Sequence, residues 1–144
     1  MFLLDTNVVS ELRKANTGRA DKNVVAWAAG ASASSMFLSA ITVQELEVGV
    51  LLAERRDSAK GAILRRWLDG QVMPAFAERI LPVDTAVARR CAAMHVPDPQ
   101  PMRDSLIAAT ALVHGLPVAT RNVADFAPTG VAIVNPWQAA DNHP

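Results

Sequence analysis

The chain has 144 residues, of which 51% are hydrophobic and 19% charged, and its formal net charge is +0 at pH 7. This composition excludes a disordered chain and suits one domain over residues 1–144 with a sizeable core. A neutral chain can bind nucleic acid only through a local basic patch. Its single cysteine, Cys91, excludes an intrachain disulfide and a zinc site built on cysteines. No apolar run approaches the roughly 20 residues of a membrane span, so we expect a cytoplasmic protein.

The first third of the chain predicts two buried strands, each followed by a helix. Met1–Leu4 is a short apolar run that ends at Asp5, and a helical pattern follows directly. Asp21 can cap a second short helix beyond a polar loop. Met36–Ser39 then predicts the second strand. The first strand therefore delivers a carboxylate to its C-terminal end.

A long helical stretch follows the second strand. Thr42 and Glu45 form a capping-box pattern at its start, which on its own favours a structural role for Glu45. Residues 54–79 continue the helical pattern, and we expect a bend or break at Gly70 and Pro74.

The remainder predicts three more strands, at Ile80–Val83, Pro117–Thr120 and Val131–Val134. Asp84 is expected to cap the helix after the third strand. Met102–His114 is nearly all apolar after Asp104, which is typical of a helix buried on most sides. Strands that alternate with helices predict a parallel sheet with helices on both faces.

Carboxylates follow the predicted strands at Asp5, Glu45, Asp84 and Asp125, and Asp104 opens the buried helix. Parallel strands end at one edge of the sheet, so several of these acids should converge there. A divalent cation would relieve their repulsion, and carboxylate oxygens suit Mg²⁺ or Mn²⁺. Such an ion most often acts on phosphate oxygens. Considered singly, Asp5 and Asp104 suit a helix cap as well as a ligand, whereas Asp84 suits a cap better.

Four short motifs, together with the chain's ending, resemble those of PIN-domain ribonucleases, and within that family those of VapC/FitB-like toxins of bacterial toxin–antitoxin pairs. They are Leu4-Asp5-Thr6-Asn7, Ser39-x-x-Thr42-x-x-Glu45-Leu46, Asp104-Ser105-Leu106-Ile107-Ala108-Ala109-Thr110-Ala111, Thr120-Arg121-Asn122-x-x-Asp125-Phe126 and the ending Val134-Asn135-Pro136-Trp137. Each motif alone is weakly specific, but their order and spacing cover essentially the whole chain.

The resemblance implies a three-layer α/β/α sandwich with a central five-stranded parallel sheet. It also implies a Mg²⁺ or Mn²⁺ site formed by Asp5, Glu45, Asp104 and Asp125. We expect Asp5 and Asp104 to be direct ligands, and Glu45 and Asp125 to hold water or a second ion. One ion and two ions both remain open.

Further polar residues adjoin these acids. Thr6, Thr120 and Asn122 are candidates for contacts that support the metal site, and Arg103 and Arg121 are candidates for contacts with RNA phosphates. Aromatic residues make up only 5% and tyrosine is absent, which argues against an aromatic ladder for single strands. We therefore expect a shaped RNA, such as a tRNA or rRNA loop, to be hydrolysed.

The resemblance also implies partners. It predicts a cognate VapB-like antitoxin, a homodimer and a larger toxin–antitoxin assembly, with no membrane association. The C-terminal segment of the antitoxin would lie in a groove near the acids. Apolar residues around Val48–Leu52 and Trp67–Phe76 are our candidates for that groove, although the same residues also suit a core.

Three other classes of protein share some of these features. A haloacid dehalogenase-type phosphatase needs an aspartate two residues after the first, where this chain has Asn7. A phosphorylated receiver domain needs a late lysine, and no lysine follows Lys60. A non-catalytic RNA- or protein-binding module on a PIN scaffold remains the alternative, although such modules typically lose acids that this chain keeps.

Overall fold

The computed structural model describes residues 1–139, and a five-stranded parallel sheet lies at its centre. The strands are β1 (Phe2–Leu4), β2 (Met36–Ser39), β3 (Ile80–Leu81), β4 (Val118–Ala119) and β5 (Ile133–Val134). Every neighbouring pair is parallel, and the spatial order is β3-β2-β1-β4-β5. The predicted sheet is confirmed, although its last three strands are shorter than the apolar runs that contain them.

Helices connect these strands and cover the sheet. They are α1 (Thr6–Arg13), α2 (Lys22–Ala29), α3 (Ala40–Arg56), α4 (Ser58–Trp67), α5 (Met73–Ala75), α6 (Thr85–Met94), α7 (Met102–His114) and α8 (Val123–Phe126). Within residues 1–139, no helix combines the length and the apolar character that crossing a bilayer requires.

The alternation of side chains along β1 divides the core into two halves. Leu4 packs with Val8 of α1 and Val50 of α3 on one face of the sheet. Leu3 packs with Ile107 of α7 and Phe126 of α8 on the other face. Both leucines are completely buried. The predicted three-layer α/β/α sandwich is therefore confirmed.

Helices α3 and α4 form a hairpin, so the predicted helical pattern after β2 is present but is interrupted at Asp57, where no break was predicted. Helix α3 ends at Arg56, and the Asp57 carboxylate caps α4 by accepting hydrogen bonds from the backbone N–H groups of Ala59 (3.1 Å) and Lys60 (3.3 Å). Asp57 lies in a charge-rich stretch, where a polar residue suits an exposed helical position as well as a cap.

Helix α4 runs back along α3. Arg65 of α4 pairs with Glu47 (2.6 Å) and Glu54 (3.1 Å) of α3. After Trp67 the chain makes a π-helical turn and then the short α5, so the predicted interruption near Gly70 and Pro74 is confirmed.

Candidate active site

Asp5 directly follows the central strand, where the connections of the sheet diverge. Strand β2 lies on one side of β1 and β4 on the other, and open α/β sheets bind ligands at such a switch point. The backbone N–H of Asp5 donates to the Ala119 carbonyl at 2.9 Å, which fixes Asp5 beside the end of β4. Its Oδ1 also accepts from the Thr6 N–H at 2.8 Å and caps α1. Asp5 is therefore a helix cap that also lines a cavity.

The second carboxylate oxygen of Asp5 is oriented by side chains from both ends of the chain. Asp5 Oδ2 accepts hydrogen bonds from the Thr120 hydroxyl (2.8 Å) and the Asn7 amide (3.3 Å). Thr120 Oγ1 in turn accepts from the backbone N–H of Asn122 at 2.9 Å. Sequence reasoning named Thr120 and Asn122 but gave no role to Asn7, although Asn7 completes the first motif.

Glu45 points into the same cavity, and the capping-box prediction was wrong. The hydroxyl of Ser39 caps α3 by accepting from the Ile41 N–H at 3.0 Å, so the helix begins three residues earlier than that pattern indicated. Glu45 Oε2 accepts from Arg103 Nη1 at 3.3 Å, whereas Glu45 Oε1 and the Thr6 hydroxyl are both buried without a well-formed hydrogen bond. Burial raises the pKa of Glu45, but the Thr6 hydroxyl is close enough to act in the opposite direction. The hydroxyl of Thr42 is buried without a partner too.

The two remaining acids take different positions. Asp104 lies in the first turn of α7, but the N-cap residue is Pro101, so Asp104 lines the cavity rather than capping the helix. Asp125 lies on α8, is exposed and does not line the cavity. It is nevertheless close enough to raise the pKa of Asp5 and of Asp104.

The cavity has a volume of about 560 Å³ and opens at the C-terminal edge of the sheet. It is lined by Asp5, Thr6, Asn7, Ser10, Glu11, Lys14, Glu45, Arg103, Asp104, Arg121, Asn122 and Trp137. Three of the four predicted acids and both predicted phosphate contacts therefore share one cavity. Trp137, which the sequence analysis named only as part of the chain's ending, lies in the cavity as well.

The acids in the cavity resist ionisation. Burial is the largest cause that raises the pKa of Asp5, Glu45 and Asp104, and neighbouring carboxylates raise each of these pKa values further. The positive charge of Arg103 acts in the opposite direction on all three. A second positive charge would relieve the remaining cost of ionising them together.

The donors suit a hard divalent cation, because all are oxygens and one buried oxygen of Glu45 has no well-formed hydrogen bond. Over residues 1–139, however, no three acidic, histidine or cysteine side chains are gathered closely enough to form a metal cluster. The carboxylates are near enough to perturb one another but are spread more widely than a completed ligand set. The type of donor atom fits Mg²⁺ or Mn²⁺, whereas the spacing of the acids is wider than a bound ion requires.

The raised pKa values predict a pH-dependent difference between the wild-type chain and an Asp5→Asn variant without metal. A folded-state pKa above the unfolded value means that protonation favours the folded state, so the stability that this provides is lost as pH rises through the folded pKa. Asparagine cannot ionise. We therefore expect the Tm of the wild type to fall relative to that of the variant as pH rises. Above the folded-state pKa of Asp5 the difference should become constant.

This prediction is measured by thermal unfolding of both proteins in EDTA across a pH series. The lowered pKa of Glu47 beside Arg65 acts in the opposite direction, but it is common to both proteins and cancels in the difference. A Tm difference that does not change with pH would contradict the prediction.

The chain is similar to known proteins over nearly its whole length. The family model of the PIN domain matches residues 2–128. The chain is 41% identical over 145 residues to VapC ribonuclease Y4jK of Sinorhizobium fredii, covering 97% of this chain and 100% of that protein. It is 41% identical over 143 residues to toxin FitB of Neisseria gonorrhoeae, covering 95% and 99%. A solved structure of FitAB bound to a DNA fragment superimposes with a TM-score of 0.88 at 36% identity, covering 99% of this chain and 100% of that one.

Proposed function

The chain belongs to the PIN-domain family, and from this premise we propose that it is a Mg²⁺- or Mn²⁺-dependent endoribonuclease that acts as the toxin of a toxin–antitoxin pair. The observation that carries the proposal is the shared cavity of Asp5, Glu45 and Asp104 at the switch point of the sheet. Each of these carboxyl groups has a raised pKa, and a bound cation would favour their ionised forms.

Asp5 and Asp104 would hold the ion through their carboxylate oxygens. When bound, a divalent ion supplies Lewis-acid stabilisation of the phosphate and lowers the pKa of an attacking water. Thr120 and Asn7 keep the Asp5 carboxylate in one orientation, so no reorganisation is needed when a ligand arrives. Asp125 would act from outside the cavity through its charge on Asp5 and Asp104.

Glu45 and the arginines would complete the site. Glu45 lines the cavity with Asp5 and would hold water or a second ion there. Arg103 and Arg121 line the same cavity and can bind phosphate oxygens, which positions the RNA backbone against the acids. We propose that the substrate is a shaped RNA, such as a tRNA or rRNA loop.

The similarity to toxin FitB and to the FitAB complex on DNA supports an antitoxin partner and a larger assembly. We propose a homodimer within that assembly. The helical hairpin offers an apolar surface for a partner, because Val48 (48%), Leu51 (51%), Leu52 (51%) and Ile63 (55%) are all exposed. In the second predicted segment Leu68 is buried in the core, whereas Trp67 and Phe76 line a smaller cavity of about 160 Å³. An antitoxin segment with an apolar face would therefore bind at the hairpin.

Metal binding gives a direct test. We expect Mn²⁺ to raise the Tm of the chain, because a ligand at about 100 times its Kd stabilises the folded state by about 2.7 kcal/mol. The stabilisation should disappear in Asp104→Asn, which removes a charged oxygen ligand. It should persist in Asp84→Asn, because Asp84 caps α6 and does not line the cavity. Equal stabilisation of both variants would contradict the proposed site.

The alternative is a non-catalytic RNA- or protein-binding module on the PIN scaffold. Incubation of the purified chain with total RNA and Mn²⁺ separates the two functions. A metal-dependent nuclease degrades the RNA with Mn²⁺ and does not degrade it once EDTA is added. A binding module leaves the RNA intact with Mn²⁺ and with EDTA.

A further inference from the structure

The cavity is larger than a metal site requires. A water molecule occupies about 30 Å³ of liquid, so a volume of about 560 Å³ can hold a nucleotide beside an ion. Beyond the acids, the lining includes Lys14, Arg121 and Trp137. An aromatic ring and two cations are the groups that bind a nucleobase and its phosphate.

Trp137 is held in place by hydrogen bonds of its backbone. Its N–H donates to Asn135 Oδ1 at 3.0 Å, and its carbonyl accepts from the side-chain amide of Asn23 on α2 at 2.7 Å. The indole is half-buried and packs against the core around β1. A ring fixed in this way can stack on a ligand with little loss of side-chain entropy.

Arg121 links this ring to the acids. Its guanidinium carbon lies 5.4 Å from the centroid of the Trp137 ring. Its backbone N–H donates to Asn7 Oδ1 at 3.4 Å, and the amide nitrogen of Asn7 donates to Asp5 Oδ2 at 3.3 Å. Asn7 therefore links the backbone of Arg121, whose side chain lies over Trp137, to the Asp5 carboxylate.

We propose that Arg121 and Trp137 form a subsite for the nucleobase of the nucleotide next to the cleaved phosphate. This inference rests on the proposed function and specifies how the substrate is held. Arginine planes and indole faces stack on any base, so the subsite selects an unpaired base rather than a particular sequence. Lys14 lies in the same lining, where its ammonium pairs with Glu11 at 3.3 Å, so it would have to exchange that partner to bind a neighbouring phosphate.

A second arginine–tryptophan pair provides an internal comparison. Arg13 lies 5.8 Å from the centroid of the Trp67 ring. Trp67 does not line the cavity that holds Asp5 and Trp137, but it lines an adjoining cavity together with Glu45. Trp27 packs against Phe2 and lines neither cavity, so it is the stricter control. The chain contains three tryptophans, so one cavity tryptophan can be compared with two others in a single spectrum.

The test is an NMR titration of the three indole N–H signals with 5′-AMP in Mg²⁺ buffer, with ribose 5-phosphate as the probe that lacks a base. Single Trp→Phe variants assign the signals. We expect AMP to move the Trp137 signal and leave those of Trp27 and Trp67 in place, and we expect ribose 5-phosphate to move none of them. Arg121→Gln should weaken AMP binding about tenfold. Trp137→Phe should retain binding, whereas Trp137→Leu should lose it.

Two results would overturn the subsite: a Trp137 signal that AMP does not move, or an equal movement with ribose 5-phosphate. RNA cleavage by Trp137→Phe and Trp137→Leu separates this inference from the proposed function. If both variants cleave like the wild type while Asp5→Asn is inactive, the subsite is wrong and the nuclease stands. If AMP moves Trp137 but the wild type cleaves no RNA, the chain has a nucleobase-binding site at Trp137, and both the nuclease and the position of that site beside a cleaved phosphate are wrong.

Discussion

Asp5→Asn is expected to lower RNA cleavage by at least about a thousandfold, because it removes a charged ligand from the centre of the site. Asp5 follows the central strand, and both of its carboxylate oxygens are hydrogen-bonded in the structure. An amide keeps the size of the side chain and the acceptor that caps α1. Its NH2 group, however, replaces the oxygen that accepts from Thr120 and Asn7, so folding of the variant is measured before the loss is assigned to chemistry.

The matched control for Asp5→Asn is Asp84→Asn. Asp84 also follows a strand at this edge of the sheet, and its Oδ1 accepts from the Val87 N–H at 3.0 Å. Asparagine is as good an N-cap as aspartate, so stability and cleavage should both be preserved. Cleavage is measured with Mg²⁺ or Mn²⁺ on total RNA, and folding by circular dichroism. A folded Asp5→Asn chain that cleaves at the wild-type rate would refute the role of Asp5.

Gly61→Ala is expected to destabilise the fold by about 2 kcal/mol or more, although alanine is the better helix former. Gly61 is buried in α4 where it crosses α3, and a Cβ at this position would lie 2.5 Å from Glu54 Cα and 2.7 Å from Glu54 N. These are backbone atoms, so no change of rotamer relieves the overlap. The two helices would have to separate.

Gly49→Ala is the control for this substitution. Gly49 lies within α3, and a Cβ there meets no atom within 4 Å. Alanine should stabilise this position by about 0.5–1 kcal/mol through its helix propensity. Urea unfolding of both variants measures the contrast. A Gly61→Ala chain as stable as the Gly49→Ala chain would show that the hairpin is looser than the structure describes.

The sequence indicated the sheet and the acids because both have strong physical signals. Apolar runs that end in a carboxylate mark the ends of buried strands, and this pattern placed Asp5. Glu45 was harder, because the short sequence around Thr42 also fits a capping box. Ser39 takes the cap instead, since the backbone leaves β2 at that residue, and only the three-dimensional path of the chain reveals this.

Asn7, Trp137 and Gly61 could not be placed from sequence for a different reason. Asn7 bridges Asp5 and the backbone of Arg121, and Trp137 approaches the cavity from the other end of the chain. Gly61 matters because two helices cross there, and the sequence contains no sign of the hairpin that brings it against Glu54. Each role depends on contacts between distant residues, which local patterns do not encode.

The central position of β1 has a consequence for synthesis. Thr120, which orients the Asp5 carboxylate, lies 115 residues after it in the chain. A ribosome must therefore translate past residue 120 before that hydrogen bond can form, and β1 lacks its β4 neighbour until then. A shorter nascent polypeptide cannot orient the carboxylate in this way. In the nuclease proposed above, the order of the strands would delay catalysis until β4 has been made.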